Sequence, residues 1–255
     1  MRFETVIYER RGEVAIISFN RPEVLNAENR QLESDFLRAL KMAWEDIRVK
    51  AVIIRGEGRA FCSGHDLSEE FLRGNIEEGV AALENLQDIT RTIVAMGKPV
   101  IAAIHGYALG AGCEWAMNCD LRIAAEGTKF GFPETGIGAT VTNAGTKLLP
   151  LLIGLGRAKE MVFTNEMIDS ARAEQWGLVN KVVPLGELDE AAMDMAKKIA
   201  KNSMLAMRLS KEALNQGIYQ DFEQTLDREA KDAVLVFSSP ESAKRTKIAL
   251  QKTKK

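Results

Sequence analysis

The chain has little of what metal sites, disulfide frameworks and membrane spans require. Its 255 residues include three cysteines and two histidines, and no cysteine pair is spaced C-x-x-C. No run approaches the roughly 18 consecutive apolar residues of a membrane span, and the N-terminus lacks the apolar segment of a signal peptide. These absences predict a cytoplasmic protein with reduced thiols, no bound metal and no membrane partner.

An excess of charge of either sign is also absent. The 34 Lys and Arg residues nearly balance the 36 Asp and Glu residues, for a formal net charge of −2. Proteins that bind nucleic acid usually carry a basic patch, so the overall balance predicts no nucleic-acid partner. The one biased stretch is "KRTKIALQKTKK", residues 244–255, where six of twelve residues are Lys or Arg. It is either a solvated helix end or frayed tail, or a contact for the phosphates of a bound cofactor.

The pattern of apolar residues changes period several times in the first two-thirds of the chain. "TVIYER", "EVAIISF", "AVIIRG" and "PVIAAIHG" read as strands, and "AALENLQDITRTIVAM" as a helix. Another helix has one buried stripe, in which Leu32, Phe36, Leu40 and Trp44 recur every four residues. Because continuously apolar strands alternate with helices, the pattern predicts an α/β fold with a parallel sheet covered by helices.

The last third is predicted to be mostly helical. Beyond about Gly154 one short strand, "VNKVV", interrupts the helical pattern. We expect this region to form a lid or an assembly surface. The predicted helices lie around residues 155–163, 170–176, 186–201, 203–216 and 219–237.

Two glycine-rich turns follow predicted strands, "RAFCSGHDL" at residues 59–67 and "HGYALGAGCE" at residues 105–114. In a parallel sheet such turns lie at the carboxyl ends of the strands, where ligands bind. Two backbone N–H groups that face each other there are suited to hold an oxyanion. Either turn alone is better explained as a plain tight turn, but two at equivalent places favour a ligand site. Neither has the spacing of a dinucleotide fingerprint or of a nucleophile elbow.

Two acids occur in settings that are unusual for a carboxylate. Glu114 lies among apolar residues such as Trp115, and Glu134 follows Pro133 in "FGFPETGIG". An apolar environment disfavours the charged form and raises the pKa of a carboxyl group toward neutrality, where it exchanges protons readily. The two acids therefore suit paired acid/base work. Alternatively, Glu114 caps its helix or pairs with Arg122, and Glu134 lies on a solvated loop.

Five motifs follow one another over about residues 4 to 240, namely "NRPEVLNA", "RAFCSGHDL", "IAAIHGYALGAGCEWAMNCDLRIA", "FGFPETGIG" and "RAKEMVFTNEMIDSARAEQWGLVNKVVP". Their order and spacing resemble those of the enoyl-CoA hydratase/isomerase, or crotonase, superfamily. The resemblance implies an α/β fold with a crotonase-like spiral of ββα units over residues 1–195. It further implies a C-terminal helical trimerisation region over residues 196–255, and assembly as a homotrimer or homohexamer.

The resemblance also implies where the site lies. It places an oxyanion hole on the backbone N–H groups of His65 and Ala111, so the His65 side chain need not act, and a catalytic pair on Glu114 and Glu134. Ala111 stands where many relatives have glycine, which restricts the backbone there. The implied contacts with acyl-CoA are Val24, Arg59, Ala60, Ser63, Asp66, Leu67 and Thr142.

The implied activity is that of an enoyl-CoA hydratase. The oxyanion hole would stabilise an enolate while water adds to C3, and one glutamate would activate the water while the other protonates C2. The implied substrate is an acyl-CoA thioester, and no cofactor is expected because coenzyme A is part of that substrate. The alternatives are an enoyl-CoA isomerase that shuttles a proton on one glutamate, and a CoA-binding scaffold without turnover.

The segment "GIGATVTNAGT", residues 136–146, departs from the "GIIPGAGGT" of similar hydratases. Thr142 and Asn143 are larger and more polar than the residues they replace, and on the acyl side of the pocket they would favour a short, cyclic or oxygenated acyl group. Alternatively, these two residues only cap the helix that begins near Ala144.

Overall fold

The computed structural model describes residues 1–68 and 76–252. Within them, nine strands form one six-stranded and one three-stranded sheet. The strands are β1 (Val6–Arg11), β2 (Val14–Phe19), β3 (Ala51–Gly56), β4 (Val100–Ile104), β5 (Tyr107–Leu109), β6 (Leu121–Ala125), β7 (Lys129–Gly131), β8 (Ile168–Asp169) and β9 (Lys181–Val183).

Ten α-helices lie in the same described residues. They are α1 (Arg30–Glu45), α2 (Ile76–Ala95), α3 (Ala111–Asn118), α4 (Gly145–Ile153), α5 (Leu155–Thr164), α6 (Ser170–Trp176), α7 (Leu188–Ala200), α8 (Met204–Gly217), α9 (Phe222–Phe237) and α10 (Pro240–Lys252). None of them combines the length and apolar character that a membrane span needs.

The large sheet has the strand order β1-β2-β3-β4-β6-β9. The hairpin of β1 and β2 is antiparallel, and every later pairing is parallel. One face, with Ile53 and Ile101, packs on Ala192 and Ala196 of α7. The other face packs on α1 and on the core around Trp115. Covering on both faces explains why the strands are continuously apolar, and the predicted parallel sheet is confirmed.

The apolar stripe of α1 differs in one residue from the prediction. Leu32, Phe36 and Leu40 are fully buried, but Trp44 is 41% exposed and Ala43 is buried in its place. An α-helix has 3.6 residues per turn, so a series with a step of four drifts around the axis and leaves the buried face by its fourth member.

The small sheet, with the order β5-β7-β8, has no clear signal in the sequence. Its strands have two or three residues each, too short to display a period. In two successive units a strand of the large sheet, a strand of the small sheet and a helix follow one another: β4, β5 and α3, then β6, β7 and α4. These repeats are the ββα units that the resemblance predicts.

The C-terminal helices α8, α9 and α10 lie beyond α7. The expected boundary at residue 195 stays a prediction; it falls inside α7, whose Ala196 still packs on the large sheet. Helix α10 was not predicted from the sequence. It includes most of the basic stretch 244–255, of which residues 253–255 lie outside the described part of the chain. The phosphate contact considered for that stretch stays a prediction.

A buried lysine attaches α8 to the core. The Lys211 ammonium donates hydrogen bonds to the carbonyls of Ile93 and Lys98, and to Asp120 Oδ2 at 2.8 Å. Asp120 Oδ2 also accepts from the N–H of Val100, the first residue of β4. One ammonium group therefore links α8 to the end of α2 and to the start of β4.

We predict that Lys211→Met lowers the free energy of unfolding by about 2 kcal/mol, because three acceptors, one of them the Asp120 carboxylate, lose a charged donor. The matched control is Lys197→Met on exposed α7 surface, which should change stability little. Urea denaturation of both variants at one protein concentration measures the difference. Equal stability of the two variants would contradict the anchoring role.

Candidate active site

The two glycine-rich turns lie side by side. Phe61 N–H donates to the His105 carbonyl at 2.9 Å, Cys62 N–H to the Tyr107 carbonyl at 3.0 Å, and Leu109 N–H to the Cys62 carbonyl at 3.1 Å. A Cβ placed on Gly112 would lie 2.3 Å from the Cys62 carbonyl oxygen, so this approach of the two backbones requires glycine. The predicted meeting of the turns is thus present in the fold.

His65 and Ala111 occupy corresponding places in the two turns. Gly64, which precedes His65, is near Gly110, which precedes Ala111: a Cβ on Gly64 would lie 3.6 Å from the Gly110 Cα. Ala111 is the first residue of α3, where backbone N–H groups have no acceptor within the helix. The turn that carries His65 therefore lies beside the N-terminus of α3, where the positive end of the helix dipole is located.

Glu114 is buried in the first turn of α3 and accepts three hydrogen bonds. Its Oε1 accepts from the Thr142 N–H at 2.5 Å. Its Oε2 accepts from the Thr142 hydroxyl at 3.0 Å and from Asn143 Nδ2 at 2.8 Å. The suggested partner Arg122 is elsewhere, because its guanidinium donates to main-chain carbonyls, including that of Leu178 at 2.6 Å.

Thr142 and Asn143 therefore do not cap α4, the alternative considered from the sequence. Ala144 is the N-cap of that helix, and no side chain makes a capping hydrogen bond to it. The polar groups of the two residues point to Glu114 instead. Because those groups are already satisfied, they give no argument for a polar acyl pocket.

Two opposing effects act on the Glu114 carboxyl. Burial raises its pKa, since a charged group is poorly solvated there, and the hydrogen bonds from Asn143 and Thr142 offset only part of this effect, so the pKa remains above its ordinary value. Both carboxylate oxygens accept, and two of the donors, an amide NH₂ and a main-chain N–H, cannot accept in return. A proton on Glu114 would disturb this arrangement.

Glu134 has the opposite environment. It opens a short 3₁₀ helix, Glu134–Ile137, and its Oε2 is buried without a hydrogen-bond partner in the described part of the chain. Burial, with a smaller contribution from the nearby charge of Glu114, raises the pKa of this carboxyl to about 7. Its Oε1 would lie 3.1 Å from a Cβ on Gly110. The carboxyl thus reaches the start of α3.

The predicted acyl-CoA contacts fall into two groups. Val24, Arg59 and Leu67 are exposed, and Ser63, which lies beside Val24, is partly exposed. By contrast, Ala60 is fully buried, and the Asp66 carboxylate pairs with Arg21 at 2.9 Å.

Ala60 and Asp66 therefore already make contacts within the chain. The Ala60 carbonyl accepts from Asn26 Nδ2 at 2.7 Å, which fixes the start of the loop. All seven assignments, including Thr142, stay predictions. Within residues 1–68 and 76–252, no group of three or more His, Cys, Asp or Glu side chains is arranged to hold a metal ion.

The family profile for enoyl-CoA hydratase/isomerase matches residues 9–254. The short-chain-enoyl-CoA hydratase of Clostridium acetobutylicum is 38% identical, over 100% of this chain and 97% of that protein. The crotonyl-CoA hydratase of Syntrophomonas wolfei is 37% identical, over 100% and 98%. The crystal structure of enoyl-CoA hydratase from Bacillus anthracis superimposes with a TM-score of 0.92 at 35% identity, covering 98% of this chain and 97% of that one. The chain belongs to the enoyl-CoA hydratase/isomerase family.

Some residues at this family site were not singled out from the sequence. Glu28 is buried, and its Oε2 lies 2.9 Å from Nδ1 of His65. Thr90 and Asn118 are buried behind Glu114 and contact Asn143. Of these residues only Asn118 has a signal in the sequence, since it is the one amide in "GCEWAMN", where the side chains other than that of Glu114 are apolar. The pairings of Glu28 and Thr90 depend on contacts distant in sequence, which no local pattern reveals.

The raised pKa of Glu134 predicts a pH-dependent stability. The folded state holds the Glu134 proton more tightly than the unfolded chain does. The stability that this proton contributes is therefore fully present below the ordinary pKa of a glutamate and is lost as the pH rises through about 7. We therefore expect Glu134→Gln to raise the free energy of unfolding by about 1–2 kcal/mol at a pH of about 8, after allowance for solvent screening.

The measurement is urea denaturation at pH values of about 4 and about 8, with exposed Glu126→Gln as the control. At the lower pH, where Glu134 is protonated, the gain should largely disappear. A gain that is the same at both pH values would contradict a raised pKa.

Proposed function

We propose that this protein is an enoyl-CoA hydratase, which adds water reversibly across the double bond of a 2-enoyl-CoA thioester. The observation that carries the proposal is the contrast between two neighbouring carboxyl groups. Glu114 accepts three hydrogen bonds, whereas Glu134 has a buried oxygen without a partner among the described residues and a pKa of about 7. One group suits the base and the other the acid.

In the proposed reaction the thioester oxygen accepts hydrogen bonds from the N–H groups of His65 and Ala111. Glu114 takes a proton from water, and the resulting hydroxide oxygen bonds to C3. The electron pair of the double bond moves toward the thioester and forms an enolate, whose negative oxygen the two N–H groups stabilise. Glu134 then gives its proton to C2. Transfer of a proton from Glu114 to Glu134, directly or through solvent, restores the starting state.

We propose that the substrate is short. The two relatives with nearly full coverage are named as short-chain-enoyl-CoA and crotonyl-CoA hydratases, and Thr142 adds bulk beside Glu114. The proposed reaction needs no cofactor or metal, since coenzyme A enters with the substrate. An isomerase needs only one proton-shuttling acid, so the second acid favours hydration. We propose a cytoplasmic location, the compartment predicted from reduced cysteines.

We further propose that the chain works as a homotrimer or homohexamer. Helix α9 buries none of its residues within the chain. Large apolar side chains on α8 and α9 are highly exposed, among them Leu214 at 75%, Phe222 at 75% and Phe237 at 76%. A groove of about 760 Å³ between the two helices is lined mostly by apolar groups. Such an apolar patch is typical of an assembly surface.

The two acids are predicted to act as a unit on crotonyl-CoA. Glu114→Gln and Glu134→Gln should each lower kcat by at least roughly 10²-fold, and the double variant should lose far less than the product of the two effects. Hydration is followed by the loss of the enoyl thioester absorbance, with Glu126→Gln as the control. Near-normal hydration by either single variant would refute the two-acid mechanism, and 3-enoyl-CoA isomerisation by that variant would support the isomerase.

Assembly is tested by light scattering at micromolar protein concentration. The expected mass is three or six times that of the 28.2 kDa chain. Phe237→Glu should lower the mass, because it puts a charge on the proposed interface, whereas Ile47→Glu, at a side chain 93% exposed at the end of α1, should not. A monomeric wild-type protein would exclude the proposed assembly.

A further inference from the structure

We infer that Thr90, Asn118 and Asn143 form a directed chain of hydrogen bonds that holds Glu114 as an oriented carboxylate, with Asn143 and Thr90 acting as positioning residues. The inference rests on the proposed function and deepens it, because it identifies the residues that orient the base of the reaction.

The carbonyl oxygen of Asn143 fixes the first step. It lies 3.2 Å from Asn118 Nδ2, and a carbonyl can only accept. The Asn118 amide must therefore turn its NH₂ group to this side, even though its Oδ1 is left buried without a partner in the described part of the chain. The opposite orientation would put two oxygens in contact and would strand the NH₂ group instead.

The directions of the remaining hydrogen bonds follow from the number of protons that each group can donate. The same Asn118 NH₂ group lies 2.8 Å from Thr90 Oγ1, so the Thr90 oxygen accepts and its single proton is free to donate elsewhere. Asn143 Oδ1 lies 3.3 Å away and receives that proton. The amide of Asn143 is thereby oriented with its NH₂ group toward Glu114 Oε2, at 2.8 Å. An NH₂ group there favours a carboxylate over a carboxylic acid.

The backbone supports this interpretation. Asn143 and Ala144 both have positive φ angles, 45° and 62°, which residues other than glycine rarely adopt. Asn adopts this region more readily than most residues, so the strain falls mainly on Ala144, in the turn that places Asn143, only 1% exposed, within hydrogen-bonding distance of the carboxylate. Thr142 Oγ1, 3.4 Å from the same NH₂ group, donates its own proton to Glu114.

Few ionisable groups act on this carboxylate in the described residues. Glu134 faces it from the 3₁₀ helix, and its charge is lost when it carries the proton. On α3, the neighbouring Cys113 thiol is buried and its pKa is raised, so it stays neutral. The guanidinium of Arg122, on β6, binds carbonyls. On α4, Lys147 lies over the ring of Tyr219. The nearby donors are therefore the main stabilisation of the Glu114 charge.

On α2, the ionisable neighbours of Thr90 are turned away. Asp88 and Arg91 form an exposed ion pair with each other at 2.7 Å. Thr90 therefore acts on Glu114 through Asn143 and not through a charged group of its own helix.

The test is Thr90→Val, which keeps the shape of the side chain and removes the hydroxyl that contacts Asn118 and Asn143. Asn143 then loses its fixed orientation, so we expect the acidic limb of the pH profile of kcat/KM to move up by about one pH unit. We expect kcat to fall about 10-fold at pH values below this limb, with KM changed less than about 2-fold. Thr90→Ser, which restores the hydroxyl, should return the wild-type profile.

Thr92→Val is the matched control, the same substitution at a buried threonine of the same helix outside the hydrogen-bonded chain. If both valine variants lose stability and neither moves the acidic limb, Thr90 only packs and the inference is overturned. Infrared difference spectroscopy provides a readout without turnover: the protonated carboxyl band that Glu114→Gln removes should appear at higher pH in Thr90→Val than in the wild type.

These measurements separate the two proposals. A wild-type protein that hydrates no enoyl-CoA, but whose Glu114 band shifts in Thr90→Val, would refute the proposed function and support the chain of hydrogen bonds. Hydration by the wild type, together with a Glu114 band that does not shift in Thr90→Val, would refute only the chain of hydrogen bonds.

Discussion

A buried carboxylate with main-chain and side-chain donors around it is the constraint on which the rest of this site depends. Glu114 lies in the first turn of an apolar helix, where an unsolvated charge is costly. The N–H of Thr142, its hydroxyl and the amide of Asn143 all supply hydrogen bonds to it. These donors tie the segment before α4 to α3, so the same contacts that stabilise the charge also fix the walls of the site.

The proposed oxyanion hole depends on a different constraint, the close approach of two backbones. Strand-like hydrogen bonds between residues 61–62 and residues 105–109 bring the two turns together. The glycine at 112 leaves room for the Cys62 carbonyl, and the α3 N-terminus then points at the same region as His65. Because main-chain geometry would create the proposed hole, we expect the identity of the side chains at 65 and 111 to matter less than their backbone conformation. The buried Glu28 next to His65 nevertheless makes that side chain part of the local structure.

Much of the fold could be predicted from the sequence, because strands and helices leave local patterns of apolar residues. Continuous apolar strands predicted the parallel sheet, and helical periodicity found α1 and the helices of the last third. The errors have physical causes: Trp44 leaves the stripe because the helix period is shorter than four, and the small sheet consists of strands too short to show a pattern. The family was identified from motifs in the sequence and then confirmed by the matches over nearly the whole chain.

The site was predicted less completely, because protonation depends on three-dimensional contacts. An apolar neighbourhood suggested raised pKa values for both acids, and both are raised. The sequence could not show that one acid would receive three donors and the other almost none. Thr142 and Asn143 stand out in the sequence as departures, but their hydrogen bonds to Glu114 could not be predicted, because these contacts join residues far apart in the chain.

The central claim is that the pair of glutamates holds its proton on Glu134 while Glu114 stays a carboxylate. A neutron crystal structure of the deuterated protein at a pH of about 6, below the value at which Glu134 is half ionised, tests it most directly. The account predicts a deuteron on a Glu134 oxygen, none on Glu114, and the ND₂ group of Asn143 directed at Glu114. A deuteron on Glu114, or the Asn143 oxygen facing it, would contradict the account.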